Sequence, residues 1–292
     1  MRRHGGGGRR RRPPVHKPTH MDDEIDVRDI RKVYPGVEPS LRGTKLKVQG
    51  PVLWARNLAR SVHLTSSRAP QVHALTGVDL RVRQGKVFGL TGHNGSGKTT
   101  LINAVSGLLR PDKGEIRFGG RSLLGLHPHQ RVHLGISRTF QSPKPFAGLS
   151  TLQNLEVAWR FGSGRRGPPP QEVLAALGLE KLARRDAASL NSAQQKKLDL
   201  ARALATGPKL LLVDELGAGL NAAELSEMAD FLGALAVQGV ALLVVEHLLG
   251  FLDRLTKRLI VLNAGREIFE GDLQAAAQDP QVVAVFLGEG GA

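Results

Sequence analysis

The sequence GHNGSGKTT occupies residues 92–100, between the apolar stretch Val87–Leu90 and an apolar-periodic run that begins at Leu101. Its glycines lack a Cβ, so the backbone can curl until several N–H groups point at one anion. The helix that follows offers unpaired amides and the positive end of its dipole at the same place. The Lys98 side chain can reach the β- and γ-phosphates of a nucleotide, and the Thr99 hydroxyl can bind Mg²⁺. The stretch therefore predicts a strand, a phosphate-binding loop and a helix, with a nucleoside triphosphate as ligand.

The composition limits the class of protein. The chain has 292 residues, of which 41% are hydrophobic, enough for one large domain or for a domain with a subdomain. It contains no cysteine, which excludes disulfides, thiol catalysis and cysteine metal sites. The longest apolar runs, such as Val240–Val245, have the length of a strand and fall well short of the roughly 18 residues that indicate a membrane span.

Much of the net charge of +15 lies at the N-terminus. Residues 1–20 hold six arginines and one lysine with no acidic residue, so they contribute +7. A segment rich in Gly, Arg and Pro buries too little apolar surface to order itself, and we predict that it is disordered. We expect a solvated tail, while binding to RNA or to anionic lipid stays open. We assign residues 1–50 to a basic N-terminal extension and residues 51–290 to the folded domain.

Two buried strands are predicted to end in functional side chains. The run LLLVDE (residues 210–215) ends in two carboxylates: Asp214 is placed to hold Mg²⁺ through water, and Glu215 to polarise the water that attacks the γ-phosphate. His247 directly follows the second strand, within VALLVVEHLL, and we expect it to contact the γ-phosphate.

The remaining patterns define the fold class. Two segments could form the first strand, and we favour Pro51–Val62 over the alternating run that ends at Tyr34. The turn and strand in PDKGEIRFGGRSL (residues 111–123) indicate an antiparallel layer, and three helical patterns indicate a helical subdomain at about residues 142–205. We predict an α/β P-loop NTPase with a mostly parallel core sheet, an antiparallel β layer and a helical subdomain. His127, His129 and His133 invite a metal interpretation, which we reject because no carboxylate or cysteine completes the set.

In this order the motifs resemble those of the ATP-binding cassette (ABC) family of transport ATPases across residues 51–290. GHNGSGKTT is similar to its Walker A motif, Gln141 to its Q-loop residue, LNSAQQ (190–195) to its signature, LLLVDE to its Walker B motif, AGLN (218–221) to its D-loop and His247 to its switch histidine. The stretches GISRTFQ and VVEHLL further resemble the RTFQ-carrying ATPase of branched-chain amino acid importers. Urea and amide importers share much of this pattern, so the substrate stays open.

The resemblance implies a set of site residues. The catalytic residues are Lys98, Gln141, Glu215 and His247. The nucleotide is bound by Gly92, Asn94, Gly95, Ser96, Gly97, Lys98, Thr99, Thr100 and Val62, and Mg²⁺ by Thr99, Gln141 and Asp214. The adenine position falls near Val62 or His63, so we expect weak base stacking unless Tyr34 folds back to supply a ring. The signature residues, which act on the ATP of a partner subunit, are Asn191, Ser192, Ala193 and Gln194.

The resemblance also implies ATP and Mg²⁺ as cofactors, a head-to-tail pair of ATPases, and two transmembrane permeases that contact residues 141–158. It places the chain at the cytoplasmic face of the cell membrane, bound peripherally through the permeases, and makes nucleic acid an unlikely partner. The family signature begins Leu-Ser-x-Gly-Gln. This chain has Asn191 in place of the serine and Ala193 in place of the glycine. Because the signature serves the other nucleotide, we favour a heterodimer with a second ABC ATPase whose signature is intact. Leu216 stands where the family has proline after the catalytic glutamate, a change that we expect to be tolerated.

Two alternatives stay open beside the importer ATPase. A non-transport ABC ATPase acting on the ribosome or on nucleic acid would suit the arginine-rich tail, although such proteins usually carry two cassettes and this chain has one Walker A motif. A low-activity regulatory subunit would suit Asn191 and Ala193, but the intact Lys98, Glu215 and His247 argue against it.

Overall fold

The structure is a computed structural model that describes residues 24–34, 71–162 and 167–287. Its strands are β1 (Ile25–Tyr34), β2 (Val72–Val82), β3 (Val87–Thr91), β4 (Lys113–Phe118), β5 (Arg121–Ser122), β6 (Ile136–Arg138), β7 (Leu210–Asp214), β8 (Ala241–Val245), β9 (Leu259–Asn263) and β10 (Arg266–Gly271). Its α-helices are α1 (Lys98–Ser106), α2 (Pro128–Leu134), α3 (Thr151–Phe161), α4 (Pro170–Ala176), α5 (Ser192–Ala205), α6 (Ala222–Val237), α7 (Leu249–Leu255), α8 (Leu273–Ala276) and α9 (Pro280–Leu287).

The larger sheet has the strand order β10-β9-β3-β8-β7-β6. Strands β9, β3, β8, β7 and β6 pair in parallel, and β10 pairs antiparallel with β9 at one edge. Every residue of β7 and of β8 is buried, as expected for central parallel strands that are covered on both faces. The predicted loop of residues 92–100 follows β3, which lies inside this sheet, so the loop is at the edge formed by the carboxyl ends of the parallel strands.

The smaller sheet is antiparallel, with the order β2-β1-β4-β5. Its inward side chains, such as Ile25, Val27 and Ile30, are buried in one core cluster with Leu101 and Ile102 of α1. The predicted fold class, a mostly parallel sheet with an antiparallel layer and a helical region, is confirmed.

The preference for Pro51–Val62 as the first strand is wrong. The first strand is Ile25–Tyr34, which pairs with both β2 and β4, while residues 51–62 lie outside the described part of the chain. Strand β1 alternates buried and exposed side chains at its start, and this pattern allows one face to cover the core. The boundary predicted at residue 50 therefore has to be corrected, because β1 belongs to the sheet and not to an N-terminal extension.

Helices α3, α4 and α5 and two short 3₁₀ turns form the helical region between β6 and β7. It packs on the opposite face of the large sheet, where Leu211 and Val213 of β7 join Leu155 and Leu198 in a second buried cluster. The second helix of this region, α4, is short and ends at Ala176. The chain then turns through Gly178, whose φ of +68° favours glycine.

Candidate nucleotide-binding site

The loop between β3 and α1 depends on two glycines that pack tightly against neighbouring backbone. Gly92 has a φ of 144°, and a Cβ there would collide with the carbonyl oxygen of Leu262. Gly97 has a φ of 109°, and a Cβ there would lie 2.5 Å from the carbonyl oxygen of Ala74. Any larger residue would force this backbone away from its neighbours, so the loop conformation requires glycine at both positions.

The loop and α1 form a cradle that suits a phosphate group. Helix α1 begins at Lys98 without a side-chain cap, which leaves its first turn open to an anion. The buried Nζ of Lys98 donates to the carbonyl oxygens of Gly92 at 2.7 Å and His93 at 2.9 Å. Burial lowers the pKa of Lys98, and the nearby Glu215 and Asp214 oppose that shift. The loop thus holds a positive charge close to the two carboxylates.

The other predicted residues of the loop differ in their exposure. Asn94, Gly95 and Thr99 are exposed and Thr100 is half-buried. Ser96 is fully buried, and its hydroxyl has no hydrogen-bond partner among the described residues. Of the residues of this loop that carry a hydroxyl, Thr99 is therefore the most exposed.

The turn between β9 and β10 supports the phosphate loop from behind, a contact that the sequence did not reveal. The Gly265 N–H donates to the Ser96 carbonyl at 2.9 Å. His93 Nε2 lies 2.7 Å from Asn263 Oδ1. The loop is thus tied to a strand that lies next to β3 in the sheet.

Glu215, Gln141 and His247 meet at the carboxyl ends of the strands. Glu215 follows the last residue of β7 and has a φ of +48°, a left-handed conformation that is unusual for a residue with a side chain. The Gln141 Nε2 donates to Glu215 Oε2 at 2.5 Å. His247 Nε2 lies 2.8 Å from the other carboxylate oxygen, Oε1. The structure therefore brings these residues from three separate segments around one carboxylate.

Asp214 is buried at the end of β7, and an arginine that the sequence analysis did not single out pairs with it. Arg138 Nη2 lies 3.1 Å from Asp214 Oδ2, and Arg138 Nη1 donates to Asn103 Oδ1 of α1 at 2.6 Å. Burial raises the pKa of Asp214, and the positive charge of Arg138 opposes the shift. Arg138 is the arginine of the RTFQ motif. Its position three residues before Gln141 was the signal that the sequence offered.

The residues predicted to hold Mg²⁺ offer oxygen donors of the type that this ion prefers, namely the Thr99 hydroxyl, the Gln141 amide and the Asp214 carboxylate. Asp214 ends β7 and Thr99 lies in the first turn of α1, after β3. Both elements end or begin at the same edge of the sheet, so the donor set fits a hard divalent cation there.

The signature segment starts helix α5 through a capping box. Asn191 Oδ1 accepts from the Gln194 N–H at 2.8 Å, and Gln194 Oε1 accepts from the Asn191 N–H at 3.1 Å. Ser192 is exposed and Ala193 is half-buried in the first turn. Asparagine is as good an N-cap as serine, so the helix start tolerates the departure at residue 191.

The adenine position expected near Val62 or His63 lies outside the described residues, so it stays a prediction, and Tyr34 is the alternative that the structure does describe. Tyr34 ends β1, pairs with Val72 of β2 and is 37% exposed. Ala74, two residues further along β2, packs against Gly97 of the phosphate loop.

Helix α1 is anchored at its other end by a buried arginine. Arg131 Nη1 donates to the carbonyl oxygens of Ala104 and Val105, each at 2.7 Å, and Nη2 donates to that of Leu123 at 2.9 Å. A cation at a helix C-terminus complements the dipole of the helix.

Arg131 lies on α2 between His129 and His133, two of the three histidines considered as metal ligands in the sequence. Across the described residues, no group of three or more His, Cys, Asp or Glu side chains is placed to hold a metal ion.

A phosphate loop between a central parallel strand and a helix, facing carboxylates at the end of a second strand, defines a P-loop nucleoside triphosphatase. Residues 75–218 match the family described as ABC transporter. The chain is 36% identical over 230 residues to the "Probable branched-chain amino acid transport ATP-binding protein LivG" of Archaeoglobus fulgidus, covering 74% of this chain and 90% of that protein. It is 31% identical over 235 residues to the "High-affinity branched-chain amino acid transport ATP-binding protein BraF" of Pseudomonas aeruginosa, covering 74% and 92%.

Among solved structures, an ATP-binding cassette of an ABC transporter in its ADP conformation superimposes with a TM-score of 0.70 at 26% identity, covering 90% of this chain and 98% of that one. The chain belongs to the ATP-binding cassette family of transport ATPases. Within the described residues, no helix has the length and apolar character needed to cross a membrane.

Proposed function

We propose that this chain is the ATP-hydrolysing subunit of an importer that takes up branched-chain amino acids or a related small polar solute through partner permeases. The observation that carries the proposal is the convergence of Gln141 and His247 on the carboxylate of Glu215, next to the Lys98 loop. Similarity to branched-chain amino acid transport ATP-binding proteins supports the substrate class.

The proposed chemistry follows from the placement of these side chains. The Glu215 carboxylate is the group that accepts a proton from, or orients, the attacking water. His247 and Gln141 fix its direction by binding one oxygen each. Lys98 and the open first turn of α1 stabilise negative charge on the β- and γ-phosphates. Thr99, Asp214 and Gln141 would hold Mg²⁺, which would neutralise phosphate charge when bound.

Tyr34 is the proposed adenine platform. Its ring is exposed at the end of β1, and its strand neighbours lead directly to Gly97. An aromatic ring in that position can stack on the adenine base. Tyr34 would then supply the stacking that the aliphatic Val62 cannot.

A groove beside Gln141 suits a segment of a permease. A cavity of about 280 Å³ separates α2 and β6 from α3 and α5, and its lining includes Leu108, Phe140 and Ala158. Leu108 is 54% exposed and Phe140 is 46% exposed, and Phe161 at the end of α3 is exposed as well. Exposed apolar side chains around a groove are typical of a protein contact. Because Phe140 precedes Gln141, a permease seated here would lie next to the residue that touches Glu215.

We further propose that the chain pairs with a second, different ABC ATPase at the cytoplasmic face of the membrane. Ala193 adds a Cβ in the first turn of α5, where the family backbone passes close to the partner's phosphates. A partner with an intact signature would complete the Lys98, Glu215 and His247 site. Two copies of this chain would instead share two altered signatures.

The test is a tagged pull-down from detergent-solubilised native membranes, with proteins identified by mass spectrometry and nucleic acid assayed in the same eluate. The proposal predicts two multi-span permeases and a second ABC ATPase. Leu108→Asp should lose the permeases, whereas Val237→Asp, at an exposed position on α6, should keep them. Recovery of ribosomes or RNA without a permease would contradict the proposal and favour the non-transport alternative.

A further inference from the structure

Two buried charged side chains lie beside the nucleotide site without belonging to it. Lys196 is on α5, five residues after Asn191, and is 7% exposed. Glu246 follows β8, immediately before His247, and is 1% exposed. Charged groups are rarely buried this deeply unless they are paired or fully hydrogen-bonded.

These two side chains bind backbone groups of the same short loop, residues 215–218. Lys196 Nζ donates to the carbonyl oxygens of Glu215 at 3.0 Å, Leu216 at 3.3 Å and Ala218 at 2.5 Å. Glu246 Oε1 accepts from the Gly217 N–H at 2.7 Å. Each residue of the loop therefore has a backbone group bound by either Lys196 or Glu246.

The loop connects two functional segments and contains a strained residue. Glu215, at its start, carries the left-handed φ of +48°, and such a conformation persists only where its surroundings enforce it. The Glu215 N–H is also bound, by the Val245 carbonyl at 3.0 Å. Ala218 begins the AGLN turn that resembles the D-loop. The direction of the Glu215 carboxylate is thus set by contacts to its own backbone and not only by His247.

We propose that Lys196 and Glu246 are positioning residues that link the signature helix α5 to the catalytic carboxylate of Glu215. This inference rests on the proposed function, because it concerns the same hydrolytic site. The start of α5 serves the nucleotide of the partner subunit, while Glu215 serves the nucleotide of this chain. Lys196 joins the two through a single side chain, so a shift of α5 displaces the loop that aims Glu215.

The charge of Glu246 gives the link a pH dependence. Burial raises the pKa of Glu246 to about 7, while the Gly217 N–H, the Lys196 ammonium and the His247 N–H favour its ionised form. Glu215 is the other charged group near it, and it disfavours that form. Glu246 is therefore ionised above about pH 7 and becomes protonated as the pH falls, which weakens its hold on Gly217.

The test measures steady-state ATP hydrolysis, ATP affinity and thermal midpoint of the purified transporter. Lys196→Met should lower kcat by about tenfold to a hundredfold, because small displacements of a catalytic group have effects of this size. The KM for ATP should change by less than about twofold, since the loop does not hold the nucleotide. Lys196→Arg, which keeps the donors, should restore most of the rate. Lys197→Met, which removes the neighbouring lysine and breaks no hydrogen bond within the described part of the chain, is the matched control.

Glu246→Gln keeps an acceptor for Gly217 but cannot ionise. The wild-type rate of ATP hydrolysis should fall as the pH drops below about 7. The pH–rate profile of the variant should not show this fall. A double-mutant cycle tests the link itself. Asn191→Ala should slow hydrolysis when Lys196 is present and have little further effect in the Lys196→Met background, because a change at the start of α5 reaches Glu215 through Lys196.

Several outcomes would overturn the link. An unchanged kcat for Lys196→Met would do so, as would equal losses for Lys196→Met and Lys196→Arg together with a lowered thermal midpoint, which indicate a structural role alone. Glu215→Gln is measured beside them. If it stops hydrolysis while Lys196→Met does not slow it, the link fails and the proposed function stands. If the wild-type transporter does not hydrolyse ATP, both fail.

Discussion

Two helices of this chain begin where a nucleotide is expected, and they begin differently. Helix α1 starts at Lys98, directly after a glycine with a φ of 109°, and has no side-chain cap. Helix α5 starts after Asn191, which closes a capping box with Gln194 at 2.8 and 3.1 Å. The first turn of α1 is left open to an external anion, whereas α5 satisfies part of its first turn from its own side chains.

The residues around the two helix starts also differ in how closely they match the family pattern. Lys98 at the start of α1 lies near the Glu215 carboxylate, which keeps both of its partners, Gln141 and His247, as the proposed hydrolysis requires. At α5, Asn191 and Ala193 depart from the family signature. The comparison teaches that the residues proposed to act on the chain's own ATP keep the family pattern, while those proposed to act on a partner's ATP depart from it.

The largest effect is expected at the catalytic carboxylate. Glu215→Gln should lower ATP hydrolysis by about 10²- to 10⁴-fold, because the amide cannot accept a proton from water. ATP binding should persist, so the variant should accumulate as an ATP-bound dimer, seen as earlier elution in size-exclusion chromatography with ATP. Hydrolysis at the wild-type rate would remove Glu215 from the chemistry.

The anchoring of α1 is tested through its C-terminal end. Arg131→Met leaves the carbonyl groups of Ala104, Val105 and Leu123 without their buried donor and should cost about 3 kcal/mol of folding free energy. The thermal midpoint should fall by roughly 6–12 °C. Arg254→Met removes an exposed ion pair with Asp230 and should shift the midpoint by less than about 2 °C. Equal shifts would contradict the anchoring role.

The open start of α1 is tested by adding a single methyl group. Gly97→Ala forces a Cβ to 2.5 Å from the Ala74 carbonyl at a φ of 109°, a strain of about 1–3 kcal/mol, and should weaken ATP binding by about tenfold to a hundredfold. Calorimetric titration with ATP measures the loss. Gly233→Ala on α6 meets no atom within 4 Å and is the matched control, expected to bind ATP normally. Normal binding by Gly97→Ala would show that this backbone is not part of the cradle.

The adenine platform should have a moderate effect. Tyr34→Ala removes the proposed stacking ring and should weaken ATP binding by about tenfold, or roughly 1.4 kcal/mol, whereas Tyr34→Phe should keep most of the affinity. Calorimetric titration with ATP and with free triphosphate separates the contribution of the adenosine part to binding from that of the phosphates. A loss that is equal for both ligands would place Tyr34 away from the base.

The smallest effect is expected at the altered signature. Ala193→Gly combined with Asn191→Ser should raise ATP hydrolysis by the chain alone by about fivefold, the equivalent of one recovered contact of about 1 kcal/mol. Ala223→Gly, at the same position of the first turn of α6, controls for the lower helix propensity of glycine. No gain over this control would mean that the signature departures do not limit hydrolysis.

Local patterns predicted most of the fold. The phosphate loop and the buried strands β7 and β8 each follow from a few adjacent residues. The first strand did not, because two segments had similar alternation and only pairing with β2 and β4 distinguishes them.

Contacts between distant segments were beyond the sequence. Arg138 reaches Asp214 and Asn103 from β6, and Arg131 reaches the end of α1 from α2. Lys196 looks like an ordinary helix-surface lysine in sequence, yet its Nζ is buried against the loop after β7. Such roles depend on how helices pack on the sheet, which residue spacing alone does not determine.

The central claim is that hydrolysis takes place at the site built from this chain's own Lys98, Glu215 and His247. The direct measurement is ATP hydrolysis by the purified transporter with Glu215→Gln in this chain, compared with the equivalent glutamate-to-glutamine change in its partner ATPase. The account predicts that Glu215→Gln removes nearly all hydrolysis and that the partner's change leaves most of it. Equal losses from the two changes, or a transporter that contains only copies of this chain and hydrolyses ATP fully, would contradict it.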